Sequence, residues 1–273
     1  METTGQLIAA GRTAEIYAWG EGRVLKLLRP GFSPGLIQQE EAITRVIGQA
    51  GLPAPKIYEV VEVDGRAGIV FERIDGPSLF GVLEQHPLRL RQEAEQLARL
   101  HARIHAHSLK NAPAGSPLQK EILARQICQA EVLPEATRQA VLDLLDRLPG
   151  GETLCHNDFH PFNVLVSPRG PVIIDWESAS LGNPCADVAR TCVTLALAQI
   201  PEETSFLFKK FAVAFLNTYI SAYLASYRAI THNPLANLRD WQTVQAAAKV
   251  QGEAPSNQAR WLKVIERGLK GRR

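Results

Sequence analysis

The segment His156-Asn157-Asp158-Phe159-His160-Pro161-Phe162-Asn163 packs ionisable and amide side chains among apolar neighbours. On a loop beside short strands, Asp158 is placed to accept a proton. Asn163, five residues later, can turn back and offer an amide oxygen to a hard cation. Asp175 follows Val172, Ile173 and Ile174, so it stands at the end of a buried strand, where an unpaired carboxylate is costly and a divalent metal would satisfy it. The same run admits a second chemistry, with His156, Asp158, His160 and Asp175 as the ligand set of a metal-dependent hydrolase.

Positioning these residues requires strands and turns, and the pattern supplies them. Asn163–Val166 and Val172–Ile174 are short apolar runs on either side of a Ser-Pro-Arg-Gly-Pro turn, which reads as a hairpin with polar residues at its ends. Before it, the first seventy or so residues read mainly as strands. One hairpin turns at Gly20-Glu21-Gly22 and a second, IYEVVEV with AGIVFERI, at Asp64-Gly65. Between them Glu40, Ile43, Ile47 and Ala50 recur at helical spacing, and the helix stops at Gly51 with Pro53 and Pro55 beyond. From Gly76-Pro77 the period becomes helical, with helices expected over 88–107, 121–129, 135–147, 188–199 and 203–227. From Leu238 a helix pair with a solvated basic tail is expected.

His156-x-Asp158 with Asn163, followed by Ile174-Asp175-Trp176-Glu177, resembles the catalytic loop and metal-binding Asp of the aminoglycoside phosphotransferase and choline kinase group, small-molecule relatives of the protein kinases. The resemblance implies an α+β, bilobal protein kinase-like fold. A small β-rich lobe over 1–75 would bind nucleotide, and a larger, mainly helical lobe over 76–273 would carry catalysis and the acceptor, with ATP between them. It makes Asp158 the base or orienting group for a substrate hydroxyl, gives Asn163 and Asp175 to Mg²⁺ on the ATP phosphates, and has His156 brace the loop.

A kinase-like small lobe also needs a strand lysine for the α- and β-phosphates and a helix acid to hold it. Lys26 stands among Val24, Leu25, Leu27 and Leu28, where a lysine is out of place without a partner. Glu40 shares the apolar helix face with Ile43 and Ile47; Glu41, the alternative, falls with Arg45 on the side facing water. Backbone groups at Glu72 and Ile74 would take adenine. The chain departs from the family pattern at Ala10-Gly11-Arg12-Thr13-Ala14 in place of a fuller glycine loop, and at Asn157, Phe162 and Trp176-Glu177. The expected reaction is ATP- and Mg²⁺-dependent phosphorylation of a small-molecule hydroxyl (an aminoglycoside, amino alcohol or sugar-like acceptor). A catalytically silent nucleotide-binding regulator is a further alternative.

Asp187 reads as the N-cap of the helix at Val188. His101 and His105, one turn apart, read as packing beneath the catalytic hairpin more than as a metal pair, Glu177 as a solvated acid, and Phe208, Phe211 and Phe215 as core. Composition bounds the rest. With 45% hydrophobic and 21% charged residues over 273 positions, the chain is globular, and a net charge of +2 gives no general affinity for nucleic acid or anionic membrane. Four dispersed cysteines suggest a reducing compartment. No secretory leader is evident, so a cytoplasmic location is expected. The apolar stretch from Phe206 to Tyr227 carries Lys209, Lys210, Asn217, Thr218 and Ser221, and reads as a buried helix, not a span. Oligomeric state is open.

Overall fold

The computed structural model describes residues 5–107, 118–199 and 204–270. By packing they fall into two compact units. One comprises the residues up to Gln85 together with Pro161–Ala179; the other holds the remainder. This division follows contacts, whereas a cut at 75/76 follows the expected roles of two lobes. Packing gathers residues 161–179 with the amino-terminal sheet.

Strands β1 (Leu7–Ala10), β2 (Ala14–Ala18), β3 (Arg23–Leu28), β4 (Ile57–Val63) and β5 (Arg66–Glu72) form one antiparallel sheet in the order β1-β2-β3-β5-β4. Both expected hairpins are present. Gly20 and Gly22 turn the first at φ 58° and 66°, and Asp64 and Gly65 the second at φ 51° and 72°, the left-handed values a tight hairpin needs. Strand β1 was not anticipated: it is a short edge strand, exposed along its length, with no alternation to mark it. Helix α1 (Gly35–Gln49) follows β3 and ends before Gly51, whose φ is +74°.

Alternation along β3 puts its side chains into two cores. Leu25 and Leu27 join Trp19 and Val70 on one face. Leu28 joins Ile37 of α1, with Ile69 and Phe71, on the other. Lys26, two residues before Leu28, is directed to this second face by the period of two, and pairs across the sheet with Ile16 and Ile69. Burial on both faces explains the nearly unbroken apolar run of β3, and each fully buried Leu or Ile there contributes roughly 1.5–3 kcal/mol. Gly68 of β5 permits the close approach, since a Cβ at that position would lie 2.9 Å from the Lys26 carbonyl oxygen.

Along the remaining chain come α2 (Leu79–Gln85), α3 (Leu90–His105), α4 (Gln119–Cys128), α5 (Glu135–Arg147) and the short strand β6 (Thr153–Cys155). The hairpin β7 (Val164–Ser167) and β8 (Gly170–Ile173) follows, in the first unit, and then β9 (Ser180–Gly182), which pairs with β6. Helices α6 (Pro184–Ala196), α7 (Phe206–Thr231), α8 (Leu238–Lys249) and α9 (Pro255–Lys270) complete the second unit. The expected helices are present, with α2 added; the expected start at Glu203 and the basic tail at 271–273 lie outside the described residues.

Two expectations fail on α7. Its buried residues are Tyr219, Tyr223 and Tyr227 in the second half. Phe208 and Phe211 are exposed by 58% and 61% and Phe215 is half-buried, so the three phenylalanines are no core stripe, and with Phe206 exposed as well the first half of the helix is not buried. Among the described residues no helix is long and apolar enough to cross a membrane.

Candidate active site

Two clusters of charge hold the residues singled out by the sequence, one in each packing unit.

In the first unit, Lys26 Nζ donates to both carboxylate oxygens of Glu40 at 2.8 Å. It also donates to Asp175 Oδ1 at 2.8 Å and lies 3.3 Å from Glu177 Oε2. Glu40 is 2% exposed and Lys26 8%, so one ammonium is buried among three carboxylates. Burial opposes the charge on Lys26, but Glu40, then Asp175 and Glu177, raise its pKa well above the usual lysine value. Burial pushes Glu40 up to about 7 even with Lys26 beside it, and Asp175 and Glu177 add to the push. Glu41 instead pairs with Arg45 at 2.9 Å on the outer side of α1, as its helix face requires.

The hairpin explains how Asn163 and Asp175 come to the same end of one element. Val164 pairs with Ile173, and the Ile174 amide donates to the Asn163 carbonyl at 3.0 Å, closing the mouth of the hairpin. Asp175 then takes a left-handed backbone, φ 64° and ψ 62°. Trp176 is buried and anchors the turn through Nε1 to the Ile173 carbonyl at 3.0 Å. The expectation of a buried Asp175 is corrected: its side chain is 44% exposed and already paired with Lys26, so burial alone creates no demand for a metal. Glu177 is likewise no solvated acid, since it faces Lys26 and accepts from Thr13 Oγ1 at 3.2 Å, tying the β1–β2 turn to this cluster.

At the end of β5 the Glu72 carboxylate pairs with Arg169 at 2.7 Å and accepts from the Lys56 amide, while the Glu72 amide donates to the Lys56 carbonyl at 2.8 Å. The Ile74 amide donates to no other described residue.

In the second unit Asp158 is the centre. Its Oδ2 lies 3.5 Å from His160 Nε2, and its Oδ1 lies 3.6 Å from Lys249 Nζ and 4.0 Å from Arg190 Nε. Burial alone would raise this carboxyl, but the His160 imidazole, then Lys249 and Arg190, hold it well below the usual carboxylate range. Lys249 and Arg190 were not foreseen. Each sits on an amphipathic helix, α8 or α6, where a cation reads as a solvated face.

The loop bearing Asp158 is fixed from below by Asp187. That carboxylate, 0% exposed, accepts from the His156 amide at 2.6 Å and the Asn157 amide at 2.8 Å. His101 and His105 of α3 bring Nε2 to 3.1 and 3.2 Å from its Oδ2, and their Nδ1 atoms meet the hydroxyls of Tyr223 and Tyr227 at 2.6 and 2.7 Å. Burial, then His105, depress His101 to about 4, with Asp187 opposing. Burial opposes the charge on Asp187, but the two histidines hold it well below the usual range. The N-cap reading of Asp187 is therefore corrected. Asn183 caps α6, accepting from the Cys185 amide ahead of Pro184, a signal the sequence carried.

His156 is fully buried, with its Nδ1 facing the Asp158 amide at 3.3 Å, and it braces the loop. The described His, Cys, Asp and Glu groups close enough to share a metal are His101, His105 and Asp187. His156, Asp158 and His160 are not such a group, which removes the core of the hydrolase reading.

A model of the phosphotransferase enzyme family matches residues 4–232. A mouse (Mus musculus) protein, acyl-CoA dehydrogenase family member 10, is 26% identical over 183 residues, 59% of this chain; the match spans only 17% of that longer protein. Among solved structures, a thermostable mutant of the aminoglycoside phosphotransferase APH(4)-Ia in ternary complex with ADP and hygromycin B superposes with a TM-score of 0.69 at 14% identity, covering 98% of this chain and 93% of that one. Choline kinase LicA from Streptococcus pneumoniae gives 0.63 at 17% identity, with 98% and 93% covered. At these identities the structures share the fold, the two-part kinase-like α+β architecture. The family match leads to one conclusion: this chain belongs to the phosphotransferase enzyme family.

Proposed function

We propose that this protein transfers the γ-phosphoryl group of ATP, with Mg²⁺, to a hydroxyl of a small molecule. The observation that carries the reading is the buried Lys26, held by both oxygens of Glu40 and also paired with Asp175. A buried ammonium with more acids than it can neutralise is the arrangement a metal–nucleotide complex completes.

In this reading residues 1–75 serve the nucleotide and residues 76–273 catalysis and the acceptor. Lys26 meets the α- and β-phosphates, Glu40 fixes the lysine, and backbone groups at Glu72 and Ile74 meet adenine. Asn163 and Asp175 suit a hard cation: both offer oxygen, one is charged, and both stand at the mouth of the β7–β8 hairpin. When bound, Mg²⁺ supplies charge neutralisation at the transferring phosphoryl group.

Asp158 orients the acceptor hydroxyl. The acceptor oxygen bonds to the γ-phosphorus as the bond to the bridging oxygen breaks, ADP leaves, and the hydroxyl proton passes to the Asp158 carboxylate and on to solvent. A carboxylate held at low pKa is a weak base, so Asp158 acts mainly by alignment, with proton loss late. Incubating the protein with labelled ATP, with and without Mg²⁺, and with a panel of amino alcohols, sugars, hydroxy acids and aminoglycosides tests the reading. A phosphorylated acceptor formed only with Mg²⁺ is the expected product; saturable ATP binding with no phosphorylated product from any member contradicts it.

A further inference from the structure

Two cations from different helices converge on the one carboxylate that the proposed reaction needs beside the acceptor. Lys249 ends α8, and Arg190 lies on α6. Both reach Asp158 Oδ1 at ion-pair distance, 3.6 and 4.0 Å, and the three side chains are 23%, 13% and 28% exposed. The cluster is thus mostly withdrawn from water yet still reachable.

Several charged and polar groups surround it. His160 lies on the other oxygen of Asp158. Gln245 of α8 accepts from Arg190 at 3.4 Å and donates to the Ala186 carbonyl, steadying the guanidinium. Glu253 is another acid acting on Lys249, and its Oε2 accepts from the Asn257 side-chain Nδ2 at 2.9 Å. Lys249 is depressed by burial first and by Arg190 second, a strain that a further anion relieves.

An acceptor hydroxyl aligned on Asp158 therefore lies beside two cations, both within 4.0 Å of that carboxylate. An ammonium on that acceptor close to the reacting hydroxyl meets like charge; a carboxylate or phosphate is neutralised. Resting on the kinase reading above, we propose that Lys249 and Arg190 form an anion subsite, and that the natural acceptor is a hydroxyl compound bearing a carboxylate or phosphate near the phosphorylated oxygen.

The test compares charge isosteres in the full-length protein with ATP and Mg²⁺: short hydroxy acids against their amides and the matching amino alcohols, and glycerol phosphate against glycerol. The acid or the phosphate should exceed its neutral isostere by about tenfold or more in kcat/KM, and whichever arm responds identifies the anion. Lys249→Met should abolish that preference, raising KM for the anionic acceptor by about tenfold or more beyond any change for the neutral one, and Lys249→Arg should restore it. The isostere comparison in the unmodified protein stands even if a variant fails to fold. Equal kcat/KM for charged and neutral acceptors, a preference for amines, or a Lys249→Met effect equal on both isosteres overturns the anion subsite and leaves the kinase reading standing. Loss of Mg²⁺-dependent transfer to every acceptor overturns both.

Discussion

The two charged clusters are built with opposite imbalance. Around Lys26 one ammonium faces three carboxylates; around Asp158 one carboxylate faces an ammonium and a guanidinium. Each arrangement is costly to bury alone, because charge withdrawn from water needs a counter-charge of matching size. On the proposed reading the sign of the deficit matches what each cluster would take: a cation carrying a nucleotide in the first, and in the second a hydroxyl compound carrying an anion.

The comparison can be broken most severely at Asp158. Asp158→Asn keeps the size of the side chain and removes its charge, so turnover should fall by about 10³-fold, within the range for a positioned acid or base group, while ATP binding stays close to that of the unmodified protein. Rapid-quench product assays and equilibrium nucleotide binding measure the two. A turnover loss below tenfold would remove Asp158 from the reaction.

Lys26→Met should abolish most activity and also destabilise the fold, because Glu40 is left buried without its partner, at a cost of roughly 3 kcal/mol. The sign is set by Glu40. Its folded pKa is already raised, to about 7 from 4.5, and losing Lys26 raises it further, so the neutral acid is tolerated below pH 4.5 and the penalty grows as pH rises through 7. Urea melts at pH 5 and pH 8 should show the larger deficit at pH 8, and adding Glu40→Gln should remove the pH dependence.

The support beneath Asp158 titrates in the other direction. His101 is depressed to about 4 from 6.5, so the unfolded chain binds the extra proton first, and stability falls as pH drops from 6.5 towards 4, by on the order of 2–3 kcal/mol. Asp187, held below its ordinary value, extends the loss at lower pH. His101→Asn should flatten this slope in denaturant titrations. The smallest effect belongs to Glu41→Gln, next to the critical acid but paired with Arg45 on the outer side of α1; stability should change by less than about 0.5 kcal/mol and activity by less than about twofold.

Much of the first cluster was legible because its signals are local. Glycine turns fix the hairpins, a lysine within an apolar strand demands a partner, and helical periodicity selects Glu40 over Glu41. The resemblance to small-molecule kinases added roles to Asp158, Asn163 and Asp175. Strands β1, β6 and β9 and helix α2 were missed because three to seven residues carry too little pattern to register. Lys249 and Arg190 were missed for a different reason. A cation on an amphipathic helix reads as solvated until tertiary packing turns it onto a carboxylate some thirty or ninety positions away. Glu177 was misread on the same ground, and the phenylalanines of α7 erred in the opposite sense, as apolar spacing that covers no core.

The imbalance at Lys26 is tested most directly by titrating ATP into the unmodified protein and into Asp175→Asn, each with Mg²⁺ and with EDTA. Magnesium should tighten ATP binding by about tenfold or more in the unmodified protein, and Asp175→Asn should lose that gain. Equal ATP affinity under all four conditions would contradict the account.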